Sequence, residues 1–239
     1  MTLSEKVLRL AADGGPVYTE TDLSRFPVEP FNTFSNLVFL SIIIYFAFKV
    51  YKEPAKHYFL ALSIPVLFLG FIGGTVYHAT RSSPVWLYLD WVPIILLCMA
   101  ASIYFIFRLQ KSLLYKIAII VLVAFISIGV RRLSVPGLSK DTVGYIATAL
   151  ALLLPLVWYM IATGFKNAKY IGASLMSFSF AIFFRMFDRF VETEFFFMGT
   201  HWLWHLFGGI AVFFLMSYIF IGTTSENEQP QALEKARGF

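Results

Sequence analysis

Charge is scarce in this sequence: Asp, Glu, Lys and Arg make up 14% of its 239 residues. Soluble domains carry about 25%. Hydrophobic residues reach 59%, against about 45–50% in an average soluble domain. Together these exclude a soluble enzyme, a disordered chain and a nucleic-acid-binding module. Cysteine is nearly absent. The single thiol, Cys98, sits within an apolar run, so no internal disulfide forms. A signal-peptide core is also missing: residues 1–30 are polar, and no cleavage is expected there. No internal repeat and no low-complexity tract is present. What the chain does have is long apolar runs and 18% aromatics, 27 of them Phe, as suits lipid-facing helices and interfacial belts. It reads as an integral membrane protein of one domain.

A bilayer core of about 30 Å needs about 20 apolar residues per helix. Seven segments qualify: 31–50, 58–78, 85–107, 115–130, 142–163, 170–190 and 201–222. Strands are excluded, because a run such as Ile117 to Ile128 shows no apolar/polar alternation. The expected fold is all-α, a seven-helix transmembrane bundle over 31–222. A polar N-terminal segment, 1–30, precedes it and a disordered tail, 223–239, follows. The loops after spans one, three and five hold Lys49, Lys52, Lys56, Arg108, Lys111, Lys116, Lys166 and Lys169, with Glu53 as their only acid. The opposite loops mix signs, as in Arg131, Arg132, Lys140 and Asp141. Basic loops stay in the cytoplasm. The N-terminus is therefore expected outside and the C-terminus in the cytoplasm.

Polar groups within a membrane are costly and mark function by default. Five groups stand out: Glu29 to Asn36 opening span one, His78 ending span two, Asp90 early in span three, Arg185 with Asp188 late in span six, and His201 with His205 opening span seven. Antiparallel helices put the starts of odd spans and the ends of even spans on one side, and all five groups fall there. His201 and His205 are four residues apart, so both imidazoles share a helix face and can address one ion. His78 adds a third nitrogen, and three histidines with a water is a common catalytic zinc layout. The alternative is a pair of interfacial histidines beside belt tryptophans. The remaining histidine, His57, lies at the opposite face and reads as an interfacial side chain.

Ser83 and Pro84 suit the start of span three and place Asp90 less than two turns into it. A lone buried carboxylate needs a partner. That partner is either a metal site or an ion pair with Arg81 or Arg185. Glu29-Pro30 marks a helix start, with Asn32 and Asn36 on one face and Ser35 adjacent. Glu20 and Asp22 lie upstream. Such oxygens suit a hard cation like calcium, although spacing alone favours helix capping and interhelical hydrogen bonds.

Three ordered motifs carry a resemblance over residues 17–222: Glu29-Pro30-Phe31-Asn32-Thr33-Phe34-Ser35-Asn36, then Gly73-Gly74-Thr75-Val76-Tyr77-His78-Ala79-Thr80 with Asp90, then Gly199-Thr200-His201-Trp202-Leu203-Trp204-His205. Phe184-Arg185-Met186-Phe187-Asp188 also looks like bacterial members. The chain resembles the alkaline ceramidases, within a heptahelical hydrolase superfamily that includes adiponectin-receptor-like proteins. The resemblance implies zinc on His78, His201 and His205, with Asp90 acting at the water that the zinc activates. It also implies an N-terminal calcium site onto which Glu20, Asp22 and Glu29 map. The pattern departs from the family in places. Gly74 stands where the family usually has a serine, for which Thr75 or Ser35 would substitute. Thr19 stands where a cysteine is frequent, the matching region near Val191 also lacks one, and a family acid near Val17 is missing.

The resulting expectation is a zinc-dependent amide hydrolase that cleaves ceramide or a related N-acyl lipid inside the membrane. The competing reading is a non-catalytic heptahelical lipid sensor with a structural zinc, supported by Gly74. A proton-coupled transporter using Asp90, Arg185 and Asp188 would need polar groups through the whole membrane depth, and the inner halves of the spans offer few. A retinal protein is disfavoured because 201–222 has no lysine for a Schiff base.

Overall fold

The computed structural model describes residues 13–136, 138, 140–190 and 197–236. Among them there is helix, turn and loop but no strand. Helix is what lipid demands, since the backbone there must satisfy its own N–H and C=O groups. The first span is two helices, α1 (Pro30–Ser35) and α2 (Leu37–Val50), meeting at Asn36. The others are α3 (Tyr58–Thr80), α4 (Pro84–Arg108), α5 (Leu113–Arg131), α6 (Lys140–Ala162), α7 (Ala168–Phe187) and α8 (His201–Ala236). Seven of these stretches are long and apolar enough to cross a membrane, α1 and α2 counting as one. The chain is a multi-pass membrane protein. Ser83 caps α4 as expected, its Oγ accepting from Val85 N at 3.2 Å.

Two ends differ from expectation. The sixth span stops at Phe187, and Asp188–Phe190 form a 3-10 turn. The last helix does not end near residue 222: its backbone continues to Ala236, across much of the stretch expected to be disordered. Residues 231–236, Gln-Ala-Leu-Glu-Lys-Ala, are strong helix formers. Thr223 and Thr224 hydroxyls return to carbonyls of the preceding turn at 2.9–3.1 Å rather than breaking the helix. The region near Val191 lies outside the described residues.

The helices form two compact units. One takes the chain up to Asp90 and from Lys169 onward. In it α1, α2, α3 and α8 pack together. The rings of Phe180 and Phe184 on α7 meet Phe207 on α8, and the Ser174 hydroxyl donates to the Ala211 carbonyl at 2.8 Å. His57 is buried here: Nδ1 pairs with Thr223 Oγ1 at 2.6 Å and the ring stacks on Phe220. This contact ties the start of α3 to α8 about six turns beyond His201, the antiparallel arrangement that brings His78 beside the start of α8. The second unit, Trp91–Ala168, holds α5 against α6, with Ile106 and Leu109 at the end of α4 and Ile119 and Val123 on α5 forming a core on which Ala151 and Tyr159 of α6 pack. Large apolar side chains stay outside, among them Phe48 at 73% exposed, Leu114 at 78% and Phe125 at 76%. In water they would be aggregation patches; against acyl chains they are the solvated surface.

Candidate metal centre

His78 lies in the last turn of α3, while His201 opens α8 and His205 follows one turn on. All three are buried. Each offers a ligand nitrogen, and the three atoms lie within 4.8 Å of one another. Their hydrogen bonds fix which nitrogen stays free. His78 Nδ1 donates to Glu29 Oε2 at 2.5 Å, and its buried Nε2 has no protein partner. His205 Nδ1 donates to the Asn32 carbonyl at 3.1 Å and meets Ser35 Oγ at 2.7 Å. The Ser35 hydroxyl itself donates to that carbonyl at 2.9 Å. His201 Nδ1 is likewise buried without a partner. Buried polar atoms are normally hydrogen-bonded. Orphaned imidazole nitrogens facing one another are what a metal ion would satisfy, so the residues present fit one. Three imidazoles suit zinc.

Behind His78 sits a buried chain of charge. Glu29 is fully enclosed and its Oε1 accepts from Thr21 Oγ1 at 2.6 Å and Arg81 Nη1 at 2.7 Å. Arg81 also pairs with Asp13, Nε to Oδ2 at 2.7 Å, and donates to the Pro16 carbonyl at 2.8 Å. Burial by itself would raise the Glu29 carboxyl. The His78 hydrogen bond and the Arg81 charge outweigh it and hold the group below the usual carboxylate range. An ionised Glu29 fixes the His78 tautomer and ring orientation, as carboxylates behind metal histidines do.

This arrangement gives the three expected calcium ligands separate tasks. Glu29 faces His78 and Arg81. Glu20 accepts from the free N–H groups of Phe31 at 2.9 Å and Asn32 at 2.6 Å, so it is the carboxylate that caps α1. Burial, the largest influence, keeps its pKa above the usual range despite those donors. Asp22 closes a local turn on Ser24. Calcium takes about six to eight oxygens. Among the described residues the histidine cluster is the group of three ligand atoms that converges, and nothing in the geometry supports calcium on these carboxylates.

Asp90 is half-buried in α4 and does not pair with Arg81, whose guanidinium goes to Asp13 and Glu29. It leans on α3 one turn below His78. A Cβ added at Gly74 would run into Asp90 Oδ1 and come within 2.9 Å of Asn36 Oδ1. The glycine therefore opens the space that Asp90 and Asn36 fill, and Asp90 lies within electrostatic reach of His78. Thr75 Oγ1, on the His78 face by its i, i+3 spacing, is buried with no partner. Ser35 stands behind His205.

A family model described as Ceramidase matches residues 21–237, nearly the whole chain. The chain belongs to the ceramidase family. A search of curated proteins returned no match. Membership in the ceramidases supports a hydrolase with a lipid substrate such as ceramide. In this ceramidase-family chain the motif residues do meet: His78, His201 and His205 form one cluster, with Glu29, Asn32 and Ser35 against it. The sequence reading missed the roles of Arg81, Asp13 and Tyr18. Arg81 follows the His78 motif directly, and that adjacency was the available signal. Asp13 and Tyr18 carry no local signal; Tyr18 is found only by its ring, stacked on His201 at 3.7 Å between centroids.

Proposed function

We propose that this protein is a zinc-dependent amidase of the membrane that cleaves the N-acyl bond of ceramide or a related N-acyl lipid, releasing a fatty acid and a sphingoid-type amine. The observation that carries the reading is the buried three-histidine cluster with its orphaned nitrogens. When bound there, zinc supplies Lewis-acid chemistry, acidifying a water toward a pKa of about 7 and polarising a carbonyl. The chain's own groups do the rest. Water oxygen adds to the amide carbon while Asp90 takes its proton. As the C–N bond breaks, Asp90 returns the proton to the departing nitrogen. The Thr75 hydroxyl offers a donor to the developing oxyanion. Glu29 holds His78, and the Asn32 carbonyl with Ser35 holds His205. The sensor reading leaned on Gly74; here a carboxylate occupies the space beside it, which favours turnover. Calcium has no part in the proposal. The test is zinc analysis of purified protein with fatty-acid release from a panel of N-acyl lipids. Zinc-loaded protein that releases none of them would overturn it.

Gly74→Ala tests the crowding around Asp90. The methyl has to push the carboxylate aside, and a displacement of about 1 Å costs about 10²-fold in rate. Zinc content should stay unchanged while turnover falls by that order. An alanine variant with wild-type turnover would show that Asp90 is not held where the proposal needs it.

The same reading sets the site on the outer side of the membrane, periplasmic or lumenal, because the Lys/Arg-rich ends of the spans point the other way. With Ser4→Cys, an impermeant thiol reagent should label intact cells. Ser225→Cys should stay protected until the membrane is opened. Reversed labelling would move the chemistry to the cytoplasmic face and leave the metal assignment standing.

A further inference from the structure

Each metal-facing histidine needs something to orient it. His78 has Glu29 on its Nδ1, and His205 has the Asn32 carbonyl and Ser35 on its Nδ1. His201 differs: its Nδ1 is one of the orphaned nitrogens, and His201 is also the first residue of its helix, where backbone donors lack intrahelical acceptors and the turn frays. Its position has to come from elsewhere.

Asp188, buried at the start of the 3-10 turn after α7, supplies it. One carboxylate oxygen, Oδ1, accepts from Thr200 N at 2.6 Å and His201 N at 3.0 Å. A carboxylate at that end also meets the positive pole of the helix. The other oxygen, Oδ2, accepts from Thr19 N at 3.2 Å and Thr19 Oγ1 at 3.3 Å, and the same hydroxyl donates to the Asp188 carbonyl at 2.7 Å. The neighbour of Thr19 is Tyr18, whose ring lies on His201 with 22° between the planes. Gly199 has φ +60, and a Cβ there would strike Asp188 Oδ1 and stand 2.7 Å from Thr19 Cβ. The glycine lets the three segments close.

We infer that Asp188 is a positioning residue for the metal ligand His201: one carboxylate fixes the backbone at His201 and clasps the N-terminal segment so that Tyr18 braces the imidazole. The inference rests on the metal reading of the histidine cluster.

The experiment measures zinc affinity by chelator competition, and the visible spectrum of the cobalt(II) form, for the full-length protein in detergent. Asp188→Ala should weaken zinc by about 10- to 100-fold, the range seen when groups that orient metal ligands are removed, and should change the cobalt bands. Asp188→Asn should recover part of both, because its carboxamide oxygen still accepts from Thr200 and His201 and its NH2 can donate to the Thr19 hydroxyl, while the Thr19 N–H loses its acceptor. Thr19→Val should weaken zinc by a smaller factor, having lost the brace but kept the cap. A folded Asp188→Ala with wild-type affinity and an unchanged cobalt spectrum overturns the inference, as does an Asn variant no better than Ala. Should Asp188→Ala fail to fold, Thr19→Val decides: weakened zinc supports the clasp, and wild-type affinity overturns it. Wild-type protein that binds no zinc sinks the metal reading itself, an outcome separate from the others.

Discussion

The double substitution His201→Ala, His205→Ala should abolish zinc binding and hydrolysis together. Wild-type protein should hold about one zinc per chain, the stoichiometry of a three-histidine site. With two of the three nitrogens gone, His78 alone presents one ligand, held by Glu29, and one imidazole does not retain the ion. The single variants His78→Ala, His201→Ala and His205→Ala should each lower zinc content and turnover. His78→Ala has a second consequence. Glu29 Oε2 loses the donor at 2.5 Å and keeps only the longer 3.4 Å contact from Asn32. A buried carboxylate left short of partners destabilises the fold, so that variant should also melt lower. The changes at 201 and 205 leave no buried charge unpaired and should report on the metal more cleanly. Because zinc binds the folded state, adding it should raise the melting temperature of wild type and not of the double variant. Zinc retained in full by the double variant would remove the site.

Much of this was legible in the sequence for a physical reason. Lipid imposes one solution on the backbone, so run length located the seven spans, to within a turn or so except at the end of the last helix. Helical periodicity placed His201 and His205 on one face, and the alternation of antiparallel spans set His78 and Asp90 at the same depth. What the sequence did not disclose was who partners whom. Spacing alone favours Glu29 as a cap over a cation ligand, but the structure gives the capping to Glu20 and turns Glu29 onto His78. Arg81 was a candidate partner for Asp90, yet it is drawn to Asp13 and Glu29. Thr19 and Asp188 are far apart in the chain; the resemblance matched the Thr19 position to the region near Val191, close to Asp188, but no local pattern singles out Asp188 itself. Gly74, read as a missing hydroxyl, is better understood as the space that Asp90 and Asn36 require. Charge and spacing fixed which residues gather, while the exchange of hydrogen bonds among them depends on long-range packing.

Asp90→Asn should keep the zinc and lose turnover, by about 10²-fold or more, the scale of a general acid–base group. The cluster that offers ligand nitrogens is three histidines, without this carboxylate, so an amide in its place removes no metal ligand. It is nearly isosteric and fits the same space beside Gly74 and Asn36, so displacement of neighbours does not account for a loss. What changes is proton affinity: a carboxamide neither takes a proton from water nor returns one to a leaving amine. Hydrolysis of an amide needs both transfers, since the nitrogen departs poorly unless protonated. A KM near wild type with the fall confined to kcat would place the defect in the chemical step. Asp90→Glu keeps the acid but moves it by a methylene in a crowded place, and should land between Asn and wild type. Zinc lost together with turnover would make Asp90 a ligand. Near-normal turnover in Asp90→Asn would leave it a structural residue and put the proton transfers on another group.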